Sequence, residues 1–291
     1  MLPASLREAL EVEFGVVQGV VAVSGGDTSS AARVEAGGGV YFVKWGRGQA
    51  ASSYAPEADG LRALAAAAPE GIFVPEVLAT APQRGEEPGY LVLPWLQPGR
   101  PGGGGWRRFG ESLAMLHLHA AALDGYGWTR DNYLGLAPQR NGVCATWPEF
   151  YATQRLGAIR EYVRGMGQWD ARWDARLDRL LADLPARLPA EPRASLVHGD
   201  LWSGNAHALA DGRFALIDPA VYVGHAEVDL AATTLFGGYA PGFYEGYRSI
   251  LPEEAGHRER ERIYQLYHWM MHLVVSTGYG MQVGASLRAL T

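Results

Sequence analysis

Val197-His198-Gly199-Asp200-Leu201-Trp202-Ser203-Gly204-Asn205, followed by Leu216-Ile217-Asp218-Pro219, is the stretch whose reading decides the fold of this chain. A histidine, an aspartate two positions on, an asparagine after four more residues, and a second aspartate beyond a short hairpin reproduce the spacing of a phosphoryl-transfer loop. Gly199 stands where the protein-kinase version carries arginine. In-line phosphoryl transfer asks little covalent help of a protein and much positioning and charge neutralisation. Asp200 is therefore expected to orient an acceptor hydroxyl and take its proton, while Asn205 and Asp218 supply hard oxygen ligands for Mg2+ on a nucleotide. Each of these residues taken singly is equally a turn former or a cap; the combination carries the reading.

The surrounding pattern suits a loop held on strands. Ser195 to Val197 reads as a short apolar strand entering it, and Asn205 to Leu209 and Arg213 to Ile217 as two strands joined at Asp211-Gly212, a favoured tight-turn dipeptide. Asn205 and Asp218 then meet at the open end of that hairpin. Upstream, Val20 to Val23 and Ala31 to Glu35 read as strands flanking the small, polar Ser24-Gly25-Gly26-Asp27-Thr28-Ser29-Ser30. Backbone groups of Gly25, Gly26, Asp27 and Thr28 are expected to cover nucleotide phosphates. Gly37-Gly38-Gly39 turns the chain into a strand from Val40 to Trp45, whose Lys44 is the candidate to grip the α- and β-phosphates; alone, it would read as a solvated strand-end lysine.

Pro56 fits the first turn of a helix over Glu57 to Ala68. Glu57 then gains from the helix dipole and either pairs with Lys44 or simply starts the helix. Tyr90 to Leu96 reads as a buried strand ending in a hinge, where backbone groups near Leu93, Trp95 and Leu96 are candidates to read the adenine edge of ATP.

With these residues in view, the chain resembles the fructosamine kinase (ketosamine 3-kinase) family, within the protein-kinase-like superfamily that includes aminoglycoside phosphotransferases and choline kinases. Beyond His198 to Asn205, the resemblance is carried by Gly25-Gly26-Asp27, Tyr41-Phe42-Val43-Lys44, Glu57-Ala58-Asp59-Gly60-Leu61, Asp131-Asn132-Tyr133-Leu134-Gly135 and Ile217-Asp218-Pro219-Ala220-Val221-Tyr222. Gly224-His225-Ala226-Glu227-Val228-Asp229-Leu230-Ala231 and Leu235-Phe236-Gly237-Gly238 add to it, and Trp202 separates the loop from those of most aminoglycoside kinases. The resemblance implies ATP-dependent phosphorylation of the sugar 3-hydroxyl of ketosamines, the adducts of glucose or ribose with amines, as a step in deglycation. Two departures stand out. Thr28-Ser29 occupies positions where many relatives have an apolar residue and asparagine. Ser24 and Asp27 stand in a loop where some relatives carry a redox-active cysteine, so no redox-linked dimer is expected and a monomer is.

Other residues admit two readings. Trp202 either walls the sugar pocket or packs on the lobe core. Asp131 and Asn132 either approach the substrate amine or sugar, or form a turn. Asp229 either caps a helix beginning near Leu230 or braces the catalytic loop. His268 and His272 have the four-residue spacing of a zinc pair, but Trp269 stands where a metalloprotease needs glutamate, so aromatic-rich packing is expected there. His117 and His119 end an amphipathic helix and read as packing or capping residues.

At 291 residues and 48% hydrophobic content the chain is long enough for two lobes, and a net charge of −6 argues against a nucleic-acid surface. The single Cys144 forms no internal disulfide, and neither a signal peptide nor a membrane-length apolar run is read, so a cytoplasmic protein without membrane attachment is expected. Downstream helices are expected over Phe150 to Arg164 behind a Thr146/Glu149 capping box, over Trp169 to Arg187 with a break at Pro185, and near Leu230 to Phe236, Gly242 to Ile250 and Arg258 to Thr277. The expected architecture is α+β and two-lobed, protein-kinase-like, with a β-rich lobe over residues 1–96 and a mainly helical one over 97–291. A kinase for another sugar, aminoglycoside or amino alcohol, and a non-catalytic ATP-binding regulatory module, are the alternatives.

Overall fold

The structure is a computed structural model describing residues 2–23, 29–119 and 124–291. The chain opens with α1 (Ala4–Phe14), which the sequence reading passed over although Leu6 and Leu10 already lie four apart on one face. Next come β1 (Val17–Ala22), β2 (Ser30–Ala36), β3 (Gly39–Gly46), α2 (Gln49–Ala67), β4 (Ile72–Phe73), β5 (Ala79–Ala81) and β6 (Gly89–Pro94). Five of these strands form an antiparallel sheet in the order β1-β2-β3-β6-β5. Strand alternation sorts its two faces. Val43 and Val92 meet Leu6 and Leu10 of α1, whereas Leu91 and Leu93 meet Tyr54, Ala58 and Leu61 of α2. Lys44, opposite Leu91 in the β3/β6 register, therefore faces α2.

Helix α2 begins seven residues before the expected start, so Pro56 lies inside it and Glu57 is not in its first turn. The reason is tertiary: Ala51, Tyr54, Ala58 and Leu61 continue one buried stripe through the proline, and packing of that stripe outweighs one lost backbone bond. The dipole argument for Glu57 falls with the early start.

The rest is mainly helical: α3 (Gly105–Leu118), a hairpin of β7 (Asn132–Leu134) and β8 (Ala137–Gln139), α4 (Trp147–Phe150), α5 (Ala158–Gly165) and α6 (Asp174–Arg187), then β9 (Ser195–Val197), β10 (Ala206–Ala208), β11 (Phe214–Leu216) and β12 (Tyr222–Gly224), and finally α7 (Glu227–Thr233), α8 (Pro241–Ile250), α9 (His257–His272) and α10 (Gly280–Leu290). Thr146 makes no side-chain cap at the start of α4. Between α4 and α5 a π-helical segment, Tyr151–Gly157, widens the turn. It carries Arg155 inward, where the guanidinium lies 3.9 Å from the Tyr222 ring centroid and donates to Arg140 O and Asn141 Oδ1. The expected helix from Trp169 instead starts at Asp174 after a 3-10 turn, and Pro185 sits in its last turns without breaking it. Helix α7 begins at Glu227, so Asp229 lies within it rather than at its cap.

The expected division at residue 96 falls just after β6. One short strand crosses it: β4 pairs in parallel with β11, so the catalytic hairpin is a three-stranded sheet completed from the N-terminal side. Among the described residues no helix is long and apolar enough to cross a membrane.

Candidate active site

The loop after β9 is held from behind by a fully buried carboxylate. Asp229 Oδ2 accepts the backbone N–H of His198 at 2.7 Å and Oδ1 that of Gly199 at 2.8 Å, while His117 Nε2 lies 3.2 Å from Oδ2 and its Nδ1 2.8 Å from Tyr247 Oη. Of the two roles open to Asp229, the structure has the brace. His117, read only as a packing residue, belongs to the same network. Gly199 has φ +82°, and a Cβ there would stand 2.2 Å from Ala220 O. Only glycine fits this close approach without strain, which accounts for glycine where the protein-kinase pattern has arginine.

His198 ties the loop to the segment bearing the second aspartate. Its Nδ1 accepts Asp200 N–H at 3.2 Å, so the proton sits on Nε2, which donates to Ile217 O at 2.9 Å. Asp218 follows with φ +50°, a conformation uncommon outside glycine, and its side chain is about half exposed, at 51%. Asn205, 4% exposed, donates through Nδ2 to Asp200 O at 2.8 Å and Asp200 Oδ2 at 3.0 Å.

From the sheet side Lys44 reaches across. Its Nζ lies 2.6 Å from Glu57 Oε2 and 2.6 Å from Asp218 Oδ1. Burial works to lower the Lys44 pKa, but the two carboxylates outweigh it and hold it above its ordinary value. One ammonium serves two acids unequally: Asp218 is held low by Lys44 against the opposing effect of burial, while burial pushes Glu57 up to about 8. Asp200 is pushed up to about 7, first by burial and then by the negative charge of Asp218.

These five side chains line one cavity of about 540 Å³. The rest of its lining combines the β7–β8 hairpin, Met271, Val274 and Val275 with an aromatic group drawn from elements distant in sequence. Trp202, 36% exposed, meets Phe236 edge to face with ring centroids 5.7 Å apart; Phe236 in turn meets His272 at 5.4 Å, and His272 meets Tyr279 at 4.7 Å. The motif Leu235-Phe236-Gly237-Gly238 and the His268/His272 spacing were the available signals for this wall. A separate cavity of about 470 Å³ beside Tyr247 and Glu227 contains none of the five.

The other expected residues are placed as follows. Gly25, Gly26, Asp27 and Thr28 lie outside the described residues; Ser29, which follows them, lines the cavity. Leu93, Trp95 and Leu96 lie at and beyond the end of β6 and do not line it, and Trp95 N–H is already donated to Val40 O at 3.0 Å. Asn132 lines the cavity but spends its side chain on the scaffold, donating to Val221 O at 2.8 Å and accepting from Gln139 and Asn141. Asp131 accepts from Asn141 N–H at 2.8 Å.

Among the described residues no group of three or more His, Cys, Asp or Glu side chains forms a metal cage. What the site offers is the hard-oxygen set that suits Mg2+: the half-exposed Asp218 carboxylate and the amide oxygen of Asn205, whose Nδ2 is otherwise engaged. Mg2+ is commonly held by one or two such ligands together with phosphates and water.

Comparison with known proteins agrees with this geometry. A Synechocystis protein named "Probable ketoamine kinase" is 38% identical over 267 residues, spanning 91% of this chain and 88% of that protein. A Thermobifida fusca crystal structure titled "putative fructosamine-3-kinase" matches with TM-score 0.85 at 28% identity, covering 98% of each chain. An aminoglycoside phosphotransferase in ternary complex with ADP and hygromycin B shares the fold, with TM-score 0.68 at 20% identity over 99% of this chain and 98% of that one. The family model described as fructosamine kinase matches residues 4–290, and the chain belongs to that family.

Proposed function

We propose that this protein is a Mg2+- and ATP-dependent kinase that phosphorylates the sugar 3-hydroxyl of ketosamines, fructosamine or ribulosamine adducts, as a step in deglycation. The observation that carries the proposal is the convergence of Lys44, Glu57, Asp200, Asn205 and Asp218 on one cavity that also has an exposed aromatic wall. Lys44, fixed between Glu57 and Asp218, is placed to take the α- and β-phosphates when they draw it from Asp218. Asp218 and Asn205 are the residues that would hold Mg2+ through their oxygens, and the ion would supply neutralisation of phosphate charge. Asp200, its Oδ2 held by Asn205, orients the acceptor hydroxyl and takes its proton. The rings of Trp202 and Phe236 offer apolar faces to the sugar and the carbon chain of the amine.

The test is ADP release with Mg-ATP, comparing fructosyl-lysine and ribulosyl-lysine with free sugars, choline and an aminoglycoside, beside the Asp200→Asn variant. Turnover confined to the ketosamines and lost by orders of magnitude in Asp200→Asn is expected. Turnover of another acceptor would move the substrate assignment, and silence across the panel with intact ATP binding would turn the reading toward a regulatory ATP-binding module.

A further inference from the structure

Helix α9 forms the wall behind Asp200 and places one polar atom there that no described residue satisfies. His268 is 3% exposed; among the described residues its Nδ1 is buried without a hydrogen-bond partner, and it lies 4.0 Å from Asp200 Oδ1. A buried nitrogen left unmatched is destabilising, so a contact that satisfies it only in the working complex would favour that complex. We propose that His268 is a positioning residue for Asp200, its Nδ1–H donating to Oδ1 when the acceptor hydroxyl is bound. The proposal rests on the reading of Asp200 as the base.

Several features support the pairing. Oδ2 already accepts from Asn205 at 3.0 Å, which leaves Oδ1 as the oxygen facing the histidine. Asn205 also holds the Asp200 main-chain oxygen at 2.8 Å, so it keeps its place if the carboxylate turns. Shortening 4.0 Å to an ordinary N–H···O distance of about 2.9 Å takes a movement of about 1 Å, within reach of a side-chain rotation at the edge of a cleft. An ionised carboxylate accepts at about four lone-pair sites, enough for Asn205, His268 and the acceptor hydroxyl together. Burial, then the neighbouring His272, pushes His268 down to about 3, so the ring is neutral and carries a single N–H. His268 does not line the cavity, so it acts through Asp200 and not on the substrate.

The experiment compares His268→Asn, His268→Gln and His268→Leu, alone and with Asp200→Asn, by steady-state kinetics for both substrates and by thermal unfolding. Asparagine puts an amide N–H near the place of Nδ1, glutamine carries it one bond further, and leucine has none. A 1 Å misplacement of a reacting group is enough for about a 10²-fold loss, so His268→Leu is expected to lower kcat by about that factor with KM for ATP unchanged. His268→Asn should recover most of the loss and His268→Gln little of it. In the Asp200→Asn background, followed by single turnover, His268→Leu should cost nothing further. A kcat within twofold of wild type in His268→Leu, a kcat equal to wild type in His268→Gln should the leucine variant not fold, or an equal loss with and without Asp200, would overturn the proposal. Normal turnover in Asp200→Asn alone would instead remove the base assignment on which it stands.

Discussion

Asp229→Asn is the substitution whose effect follows most directly from the geometry. Asp229 is fully buried and its two oxygens accept from His198 N–H, Gly199 N–H and His117. Asparagine keeps the shape but turns one acceptor into a donor, so whichever way the amide lies, one backbone N–H of the catalytic loop faces another N–H. A hydrogen bond to a charged acceptor contributes about 1.5–3 kcal/mol, and a buried unsatisfied donor adds a cost of similar size. A loss of about 3 kcal/mol is expected, against a total stability of about 5–15 kcal/mol, so the variant folds. At about 2–4 °C per kcal/mol for a chain of this size class, the melting temperature should fall by about 6–12 °C. The pH dependence has a definite sign. Burial works to raise the Asp229 pKa, but the bonds from His117 and His198 hold it below its ordinary value. A depressed carboxylate contributes stability that is present above its unfolded pKa of about 4 and lost as pH falls through the folded one. Thermal unfolding of both proteins from pH 3 to 8 should therefore show a steady gap above about pH 5 that narrows in acid. A variant melting within 1 °C of wild type, or a gap that widens in acid, would refute the brace as argued.

Three further outcomes are expected. Gly199→Ala forces a Cβ to 2.2 Å from Ala220 O at φ +82°, and should cost about 2 kcal/mol or more by chemical denaturation together with most of the turnover; unchanged activity would mean that the loop is not held as described. Because Asp200 is pushed up to about 7 by burial and by Asp218, and must be ionised to take a proton, kcat/KM for the acceptor should fall as pH drops below about 7; raising Mg2+, which offsets the charge of Asp218, should move that limb to lower pH, and a limb indifferent to Mg2+ would contradict the cause assigned. Trp202→Ala should raise KM for the acceptor at least tenfold while leaving KM for ATP within about twofold; a change confined to ATP would remove Trp202 from the acceptor wall.

The loop from His198 to Asn205 was legible in the sequence because its residue types stand at a particular spacing, and the hairpin after it because Asp211-Gly212 admits few alternatives. Lys44 and Glu57 could be paired on chemical grounds even though the helix carrying Glu57 was started too late. That error and the unforeseen π-helical turn have the same origin in packing against distant partners, the stripe from Ala51 to Leu61 in one case and Arg155 over Tyr222 in the other. The aromatic wall was legible only in part, as Trp202 and the aromatic-rich packing expected around His268 and His272, for a related reason. Trp202, Phe236 and Tyr279 are neighbours only in space, and no periodicity within a single element announces such a group.

The bridge from Lys44 to Asp218 spans 174 positions of chain, and the strand pairing of Ile72 with Phe214 closes a loop nearly as long. Loop-closure entropy grows only logarithmically with length, so the finished molecule is little weakened by this design. Folding speed suffers more, because contacts so far apart in sequence form late. During synthesis Lys44 and Glu57 are made early, but the lysine has to await the last third of the chain before its second partner, Asp218, exists.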